Sequence, residues 1–186
     1  MPIGSLWIPV VVSTVVVFVL SSLAHMVLKH HRNDYRGLSG EDAVRDAIRK
    51  IGPAPGLYSI PHCSDHSKLK EPEMRKKWDD GPVALLTVMR NGLPAMAKYL
   101  GLWAALCLLV SFTAAYVARH TLTYGADGLT VMRITGTVAF AGYAFGYFQD
   151  SIWKGIPWSN SLRSIADAAV YAVATGLVFR LLWPGA

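Results

Sequence analysis

Charge is scarce in this chain, and cysteine is scarcer still. Asp, Glu, Lys and Arg make up 16% of its 186 residues, well under the roughly 25% of a soluble protein. The hydrophobic fraction is 53% and the mean hydropathy +0.34, which excludes an ordinary soluble domain. The two cysteines, Cys63 and Cys107, allow one disulfide at most. Cys107 sits among Ala104, Ala105, Leu106 and Leu108 and reads as a small packed hydrophobe, while Cys63 lies in a polar segment, so no bridge is expected. Residues 1–6 hold no Lys or Arg. Ser22-Leu23-Ala24 resembles a cleavage site, but the basic leader is missing and the apolar run of about 22 residues exceeds the 7–15 of a signal sequence. An uncleaved membrane helix is expected instead. The sequence also shows no cofactor motif, no nucleophile–base arrangement and no phosphate-cradling glycine loop, which argues against an independent enzyme.

What the chain does have is four long apolar stretches, Leu6–Leu28, Tyr99–Ala118, Leu129–Phe148 and Ile165–Trp183. Each is near the 20 residues needed to cross a hydrocarbon core of about 30 Å. The expected fold is an all-α membrane protein, a bundle of four transmembrane helices with a small mixed α/β cytoplasmic insert between the first and second. The segments are residues 1–28, 29–98 and 99–186.

The net charge of +6 is not a nucleic-acid signature. Thirteen of the 18 Lys and Arg fall in residues 29–98 together with nine of the 12 acids, a mixed surface without a basic stripe. Membrane lipids are the expected partner, since juxtamembrane Lys and Arg gain about 1 kcal/mol each beside anionic headgroups. Lys29, Arg32, Arg36, Arg90, Lys98, Lys154 and Arg163 cluster beside span ends on one side. The positive-inside bias then puts residues 29–98 and 150–164 in the cytoplasm of a bacterial inner-membrane protein, with both termini outside. Trp7, Trp103, Trp153, Trp158 and Trp183 fall near span ends, where indole suits the headgroup level. Gly155 and Pro157 should stop the third helix near Lys154, which then lies one turn from Asp150.

Within the insert, Ser39 and Asp42 resemble a capping box opening a helix whose apolar face is Val44, Ile48 and Ile51, closed by Gly52-Pro53. Leu57–Ile60 and Val83–Met89, bounded by Pro and Gly, read as short strands able to pair. Pro72–Trp78 suggests a helical turn. An insert this small has little core of its own and is expected to dock elsewhere.

The sharpest chemical cluster is His62-Cys63-Ser64-Asp65-His66. Imidazole and thiolate favour zinc or copper, so His62, Cys63 and His66 are the candidate transition-metal ligands, although the spacing matches no zinc finger. The competing reading is a polar loop. No other cofactor is expected. His25, His30 and His31 lie on the same side. His25 reads as an interfacial histidine bonded to Ser21, Ser22 or lipid phosphate, with a lone haem or quinone contact as a further reading. Asp167 is expected in the first turn of the fourth span with Arg163 one turn back, and Arg133 and Arg180 snorkel. An interior without ionisable residues argues against a pump or active transporter.

Small residues complete the pattern. Gly142 and Gly146 form a GxxxG in the third span, and Ala168, Ala172 and Gly176 a seam in the fourth, where helix backbones can approach closely. Tyr143 and Tyr147 are placed to supply interhelical hydrogen bonds. The expected function is a structural or accessory, non-catalytic membrane subunit that packs on a partner chain or on itself through these seams. The runner-up is a metal-handling membrane protein.

Overall fold

The structure, a computed structural model, describes residues 3–185. Met1, Pro2 and Ala186, on which the expected orientation of the termini bears, lie outside the described residues. The chain divides into two compact units, one of residues 1–35 and 95–186 and the other of residues 36–94.

The first unit is built from four long helices: α1 (Trp7–Met26), α4 (Met96–Thr121), α5 (Gly128–Lys154) and α6 (Trp158–Leu181). Three of the helical segments, Gly4–Met26, Met96–Thr121 and Trp158–Leu181, are long and apolar enough to cross a membrane. α5 is the exception: Arg133 and repeated Thr, Gly and Tyr dilute its apolar character. Short connections make α4, α5 and α6 successive antiparallel neighbours. α1 packs on α4 and α6, and α5 packs on the same two helices, which closes a ring of four.

Local chemistry sets the helix ends. Asp127 caps α5 by accepting from the Thr130 backbone N–H at 3.0 Å and its hydroxyl at 3.1 Å. Gly155 ends it in the left-handed region at φ 67°, and Lys154 pairs with Asp150 at 2.7 Å. Pro157, which suits the residue preceding a helix, starts α6 at Trp158, seven residues before the apolar run begins. Polar bonds tie the ring together. Ser13 on α1 donates to Ser111 on α4 at 3.0 Å, and Ser151 on α5 donates to Ser161 on α6 at 2.7 Å. Such hydroxyl pairs have few competing partners where water is absent.

Two of the five tryptophans expected near span ends face into the bundle. Trp103 points inward and donates to Ser21 Oγ at 2.7 Å, while Trp183 is 3% exposed and donates to the Thr123 carbonyl. Trp7, Trp153 and Trp158 do lie exposed.

The second unit holds α2 (Glu41–Ile51), β1 (Gly56–Ile60), α3 (Pro72–Asp80) and β2 (Ala84–Val88). The strands pair antiparallel with Tyr58 opposite Leu86. Gly52 closes α2 in the left-handed region as expected, but Ser39 does not cap it. The capping position is Gly40 at φ 81°, and no side chain bonds the first turn there. Only glycine enters that conformation without a Cβ penalty. No residue of α2 is buried, and Val44 and Ile51 stand exposed.

Candidate functional site

Two segments distant in sequence meet at one end of the helical unit. After α1 the chain makes a tight turn over Lys29–His31 and runs to Tyr35 against the N-terminal half of α6. His31 sits between two carboxylates, with Nδ1 2.6 Å from Asp34 Oδ2 and Nε2 2.7 Å from Asp167 Oδ2. His30 Nε2 lies 3.0 Å from the other Asp167 oxygen. Arg163 donates from Nε and Nη2 to Asp34 Oδ1 at 3.0 and 2.6 Å. Asn160 completes the clamp: its Oδ1 accepts from Arg163 at 2.8 Å and its Nδ2 donates to the Asp34 carbonyl at 2.9 Å. His25 donates from Nδ1 to the Ser21 carbonyl at 3.0 Å, and its ring stacks on His31 with centroids 4.5 Å apart.

The side chains of His31, Asp34 and Asp167 are only 12, 17 and 14% exposed. For His31, burial alone would lower the pKa. Hydrogen bonds to Asp167 and Asp34 and the two negative charges outweigh it, and the pKa is raised. Asp34 mirrors this. Burial opposes its charged form, but hydrogen bonds from His31 and Arg163 and their positive charge hold it below the usual carboxylate range.

This arrangement revises two expectations. Asp167 is not in the first turn of its helix, because α6 starts at Trp158, so the carboxylate lies nine residues in, about 14 Å along the axis. Nor does Arg163 serve Asp167, since it turns to Asp34 instead. A partly buried carboxylate therefore sits at the end of the helical unit where His30 and His31 meet α6.

His25 and Asp167 also line a cavity of about 530 Å³ between the helices, with Ser21, Trp103, Tyr143 and Tyr171 among its walls. The three aromatic rings pack edge to face or tilted, with Tyr143 and Tyr171 centroids 5.7 Å apart and Trp103 6.1 and 6.3 Å from them. Tyr143 is 7% and Tyr171 5% exposed. Their hydroxyls are buried and meet no partner in hydrogen-bond geometry among the described residues, although the weakly bonding Cys107 thiol of α4 lies beside that of Tyr143. An orphaned buried hydroxyl costs about 1–3 kcal/mol.

The cluster singled out in the sequence lies in the second unit and behaves as a local loop. His62 Nδ1 is 3.1 Å from Ser59 Oγ, and the Cys63 thiol, free of any disulfide, donates to the Asp65 carbonyl at 3.0 Å. Hydrogen bonds from the Ser67 hydroxyl and backbone hold the Asp65 carboxyl below its ordinary range, and His66 opens the short turn His66–Lys70. His62, Cys63 and His66 are not drawn together as a ligand set. Among the described residues, His25, His31 and Asp167 are: one ligand atom from each lies within 4.8 Å of the others.

The seam residues divide as well. A Cβ on Gly142 would stand 3.1 Å from the Val110 side chain of α4, whereas one on Gly146 would meet nothing within 4 Å. Ala168 and Ala172 are buried beside Cys107 and Tyr143. Gly176 makes the tightest approach, its notional Cβ 2.8 Å from the Met132 carbonyl of α5. Its counterpart Gly136, 3.2 Å by the same measure from the Ala172 carbonyl, was not singled out in the sequence. Asp34, Asn160 and Tyr171 were not singled out either, and Arg163 and Trp103 were expected only at span ends. One signal pointed to them: Asp167 is the sole acid of α6, and a polar run containing two histidines follows α1 directly.

No protein family, curated protein or solved structure matches the chain. Its function has to be argued from this geometry.

Proposed function

We propose that the chain is an accessory, non-catalytic subunit of a bacterial inner membrane that holds a membrane-soluble carbonyl compound between its helices. The ligand class is a quinone or an acyl ester, an apolar body carrying oxygens that accept hydrogen bonds. The observation that carries this reading is the pair of orphaned hydroxyls on one cavity wall, Tyr143 and Tyr171. Both rings line the cavity, and a carbonyl oxygen that works in between them supplies the acceptor their buried hydroxyls lack, while the remaining apolar surface suits the ligand's body. A volume of about 530 Å³ falls within the roughly 300–1,000 Å³ of small-molecule sites.

On this reading α5 is a fourth span. Its 27 residues reach about 40 Å, and Arg133, near one end, snorkels to the headgroups. Lys and Arg asymmetry then places the 36–94 unit in the cytoplasm and both termini outside. Gly146 favours a partner chain, because the second glycine of the GxxxG is left open within this one.

The test is solvent extraction of protein purified in mild detergent, followed by mass spectrometry. The expected result is about one carbonyl amphiphile per chain, lost in a folded Tyr143→Phe/Tyr171→Phe variant. Recovery of bulk phospholipid alone, in equal amounts from both proteins, refutes the reading.

A further inference from the structure

The geometry points to a divalent metal site at His25, His31 and Asp167, for a first-row ion with zinc as the leading choice. Two imidazole nitrogens and one carboxylate oxygen form the donor set of such ions, and three protein ligands leave a position open for water or an exogenous ligand. The three side chains come from the end of α1, from the turn behind it and from the middle of α6, yet they offer ligand atoms within 4.8 Å of one another. Convergence from three elements is what distinguishes this group from the local loop at His62–His66.

The surroundings of the three ligands are those of a metal site. Histidines that bind metal nearly always donate the other ring N–H to a carbonyl or carboxylate, which fixes the tautomer and aims the free nitrogen. Both histidines here do so. His25 donates from Nδ1 to the Ser21 carbonyl at 3.0 Å. His31 donates from Nδ1 to Asp34 at 2.6 Å, and Arg163 holds Asp34 in turn. Nε2 of each ring is the donor to the ion, that of His31 once its bond to Asp167 opens, and because the two rings stack at 4.5 Å and 10°, His25 turns out of the stack for both lone pairs to meet one ion. His30 holds Asp167 Oδ1 at 3.0 Å, leaving Oδ2 turned to His31. His30, Asp34 and Arg163 are thus positioning residues, and each of the three ligands has its orienting partner.

Binding requires one exchange. The His31 Nε2 proton shared with Asp167 Oδ2 leaves to solvent and the ion takes its place, so atoms and charge balance with one proton released. The two atoms are 2.7 Å apart, and tetrahedral coordination at ordinary bond lengths sets them about 3.4 Å apart. A rotamer adjustment of either side chain supplies that opening. Counting Asp34, Asp167 and Arg163 with neutral histidines, the loaded site carries a single net positive charge, which suits an anionic or strongly polar group at the open position. His25 and Asp167 line the cavity wall, so that position faces ligand space. The inference does not rest on what occupies the cavity.

The experiment uses the full chain in mild detergent, stripped with chelator and titrated with Zn²⁺ alone, with bound metal read by elemental analysis and released protons by a pH indicator. The expected result is one saturable equivalent, with Co²⁺ substitution giving a visible tetrahedral absorption band. His25→Ala and Asp167→Asn should each abolish the equivalent, and Asp34→Asn should weaken affinity 10–100-fold, as loss of a ligand's orienting partner does. A His62→Ala/Cys63→Ser/His66→Ala variant and the Tyr143→Phe/Tyr171→Phe variant should both bind as the parent does. His25 is exposed, so His25→Ala serves if Asp167→Asn fails to fold. Absence of saturable Zn²⁺ binding overturns the inference and leaves a proton as the only cation between His31 and Asp167. So does an equivalent that survives His25→Ala and Asp167→Asn, or one that disappears only in the His62/Cys63/His66 variant.

Discussion

His31 and Asp167 stand 136 positions apart in the chain and are joined by a 2.7 Å hydrogen bond. That contact pins the segment after α1 onto α6 and sets His31 beside His25 and Asp167, both of which line the cavity. The neighbouring Asp34–Arg163 pair does the same work from the other side of His31.

The Asp34 clamp should therefore be separable from the rest of the fold. Arg163→Gln removes both guanidinium bonds to Asp34. Hydrogen bonds to charged groups contribute about 1.5–3 kcal/mol, and the partial exposure of this pair places it at about 1.5 kcal/mol or below. Residues 29–35 should loosen while the bundle persists. Limited trypsin cleavage at Lys29 and Arg32 checks this, and an unchanged cleavage rate would show that the clamp holds nothing.

The α5–α6 crossing makes a paired prediction. Gly176→Ala sets a Cβ against the Met132 carbonyl, a backbone atom that cannot step aside, and should cost about 1–3 kcal/mol by overpacking. Gly146→Ala meets open space and should be neutral or slightly stabilising, since alanine favours helix. Thermal unfolding in detergent measures both, and equal effects would put the close approach elsewhere.

In the second unit, Gly40 rather than Ser39 governs the start of α2. Gly40→Ala forces a Cβ into the left-handed region at φ 81° and should destabilise the helix start by about 1–2 kcal/mol. Ser39→Ala should change little. Hydrogen exchange over residues 41–48 distinguishes them, and the opposite ranking would restore Ser39 as the cap.

Acid should fray α5 from its N-terminus. The Thr130 backbone and hydroxyl bonds, with Arg180 nearby, lower the Asp127 pKa below its usual 3.8. A carboxylate with a depressed folded pKa gives stability that is present above the unfolded value and lost as pH falls through the folded one. Exchange at Thr130 should accelerate below about pH 3.8 in the parent. In Asp127→Asn, which still accepts a hydrogen bond without titrating, that acceleration should vanish.

Element ends and strand pairing were legible because they depend on neighbours in sequence. Gly52 and Gly155 sit where a left-handed residue must follow a helix, and Pro and Gly bound both strands. The start of α6 was not legible from hydropathy, because Trp158–Ser164 is polar enough to read as loop. That misplaced Asp167 along its helix by seven residues, about two turns. The site itself depends on contacts across more than a hundred residues, and nothing local to His30, His31 and Asp34 points to α6. Gly136 was passed over because Gly142 and Gly146 carried the familiar spacing, whereas the close crossing uses one glycine from each helix.

The carbonyl-binding claim is tested most directly by infrared difference spectroscopy on protein loaded with a short-tailed quinone carrying ¹³C at its carbonyls. The account predicts a carbonyl band displaced to lower frequency by hydrogen bonds from Tyr143 and Tyr171, returning to its detergent-micelle position in the Tyr143→Phe/Tyr171→Phe variant. A micelle-like band in both proteins would contradict it.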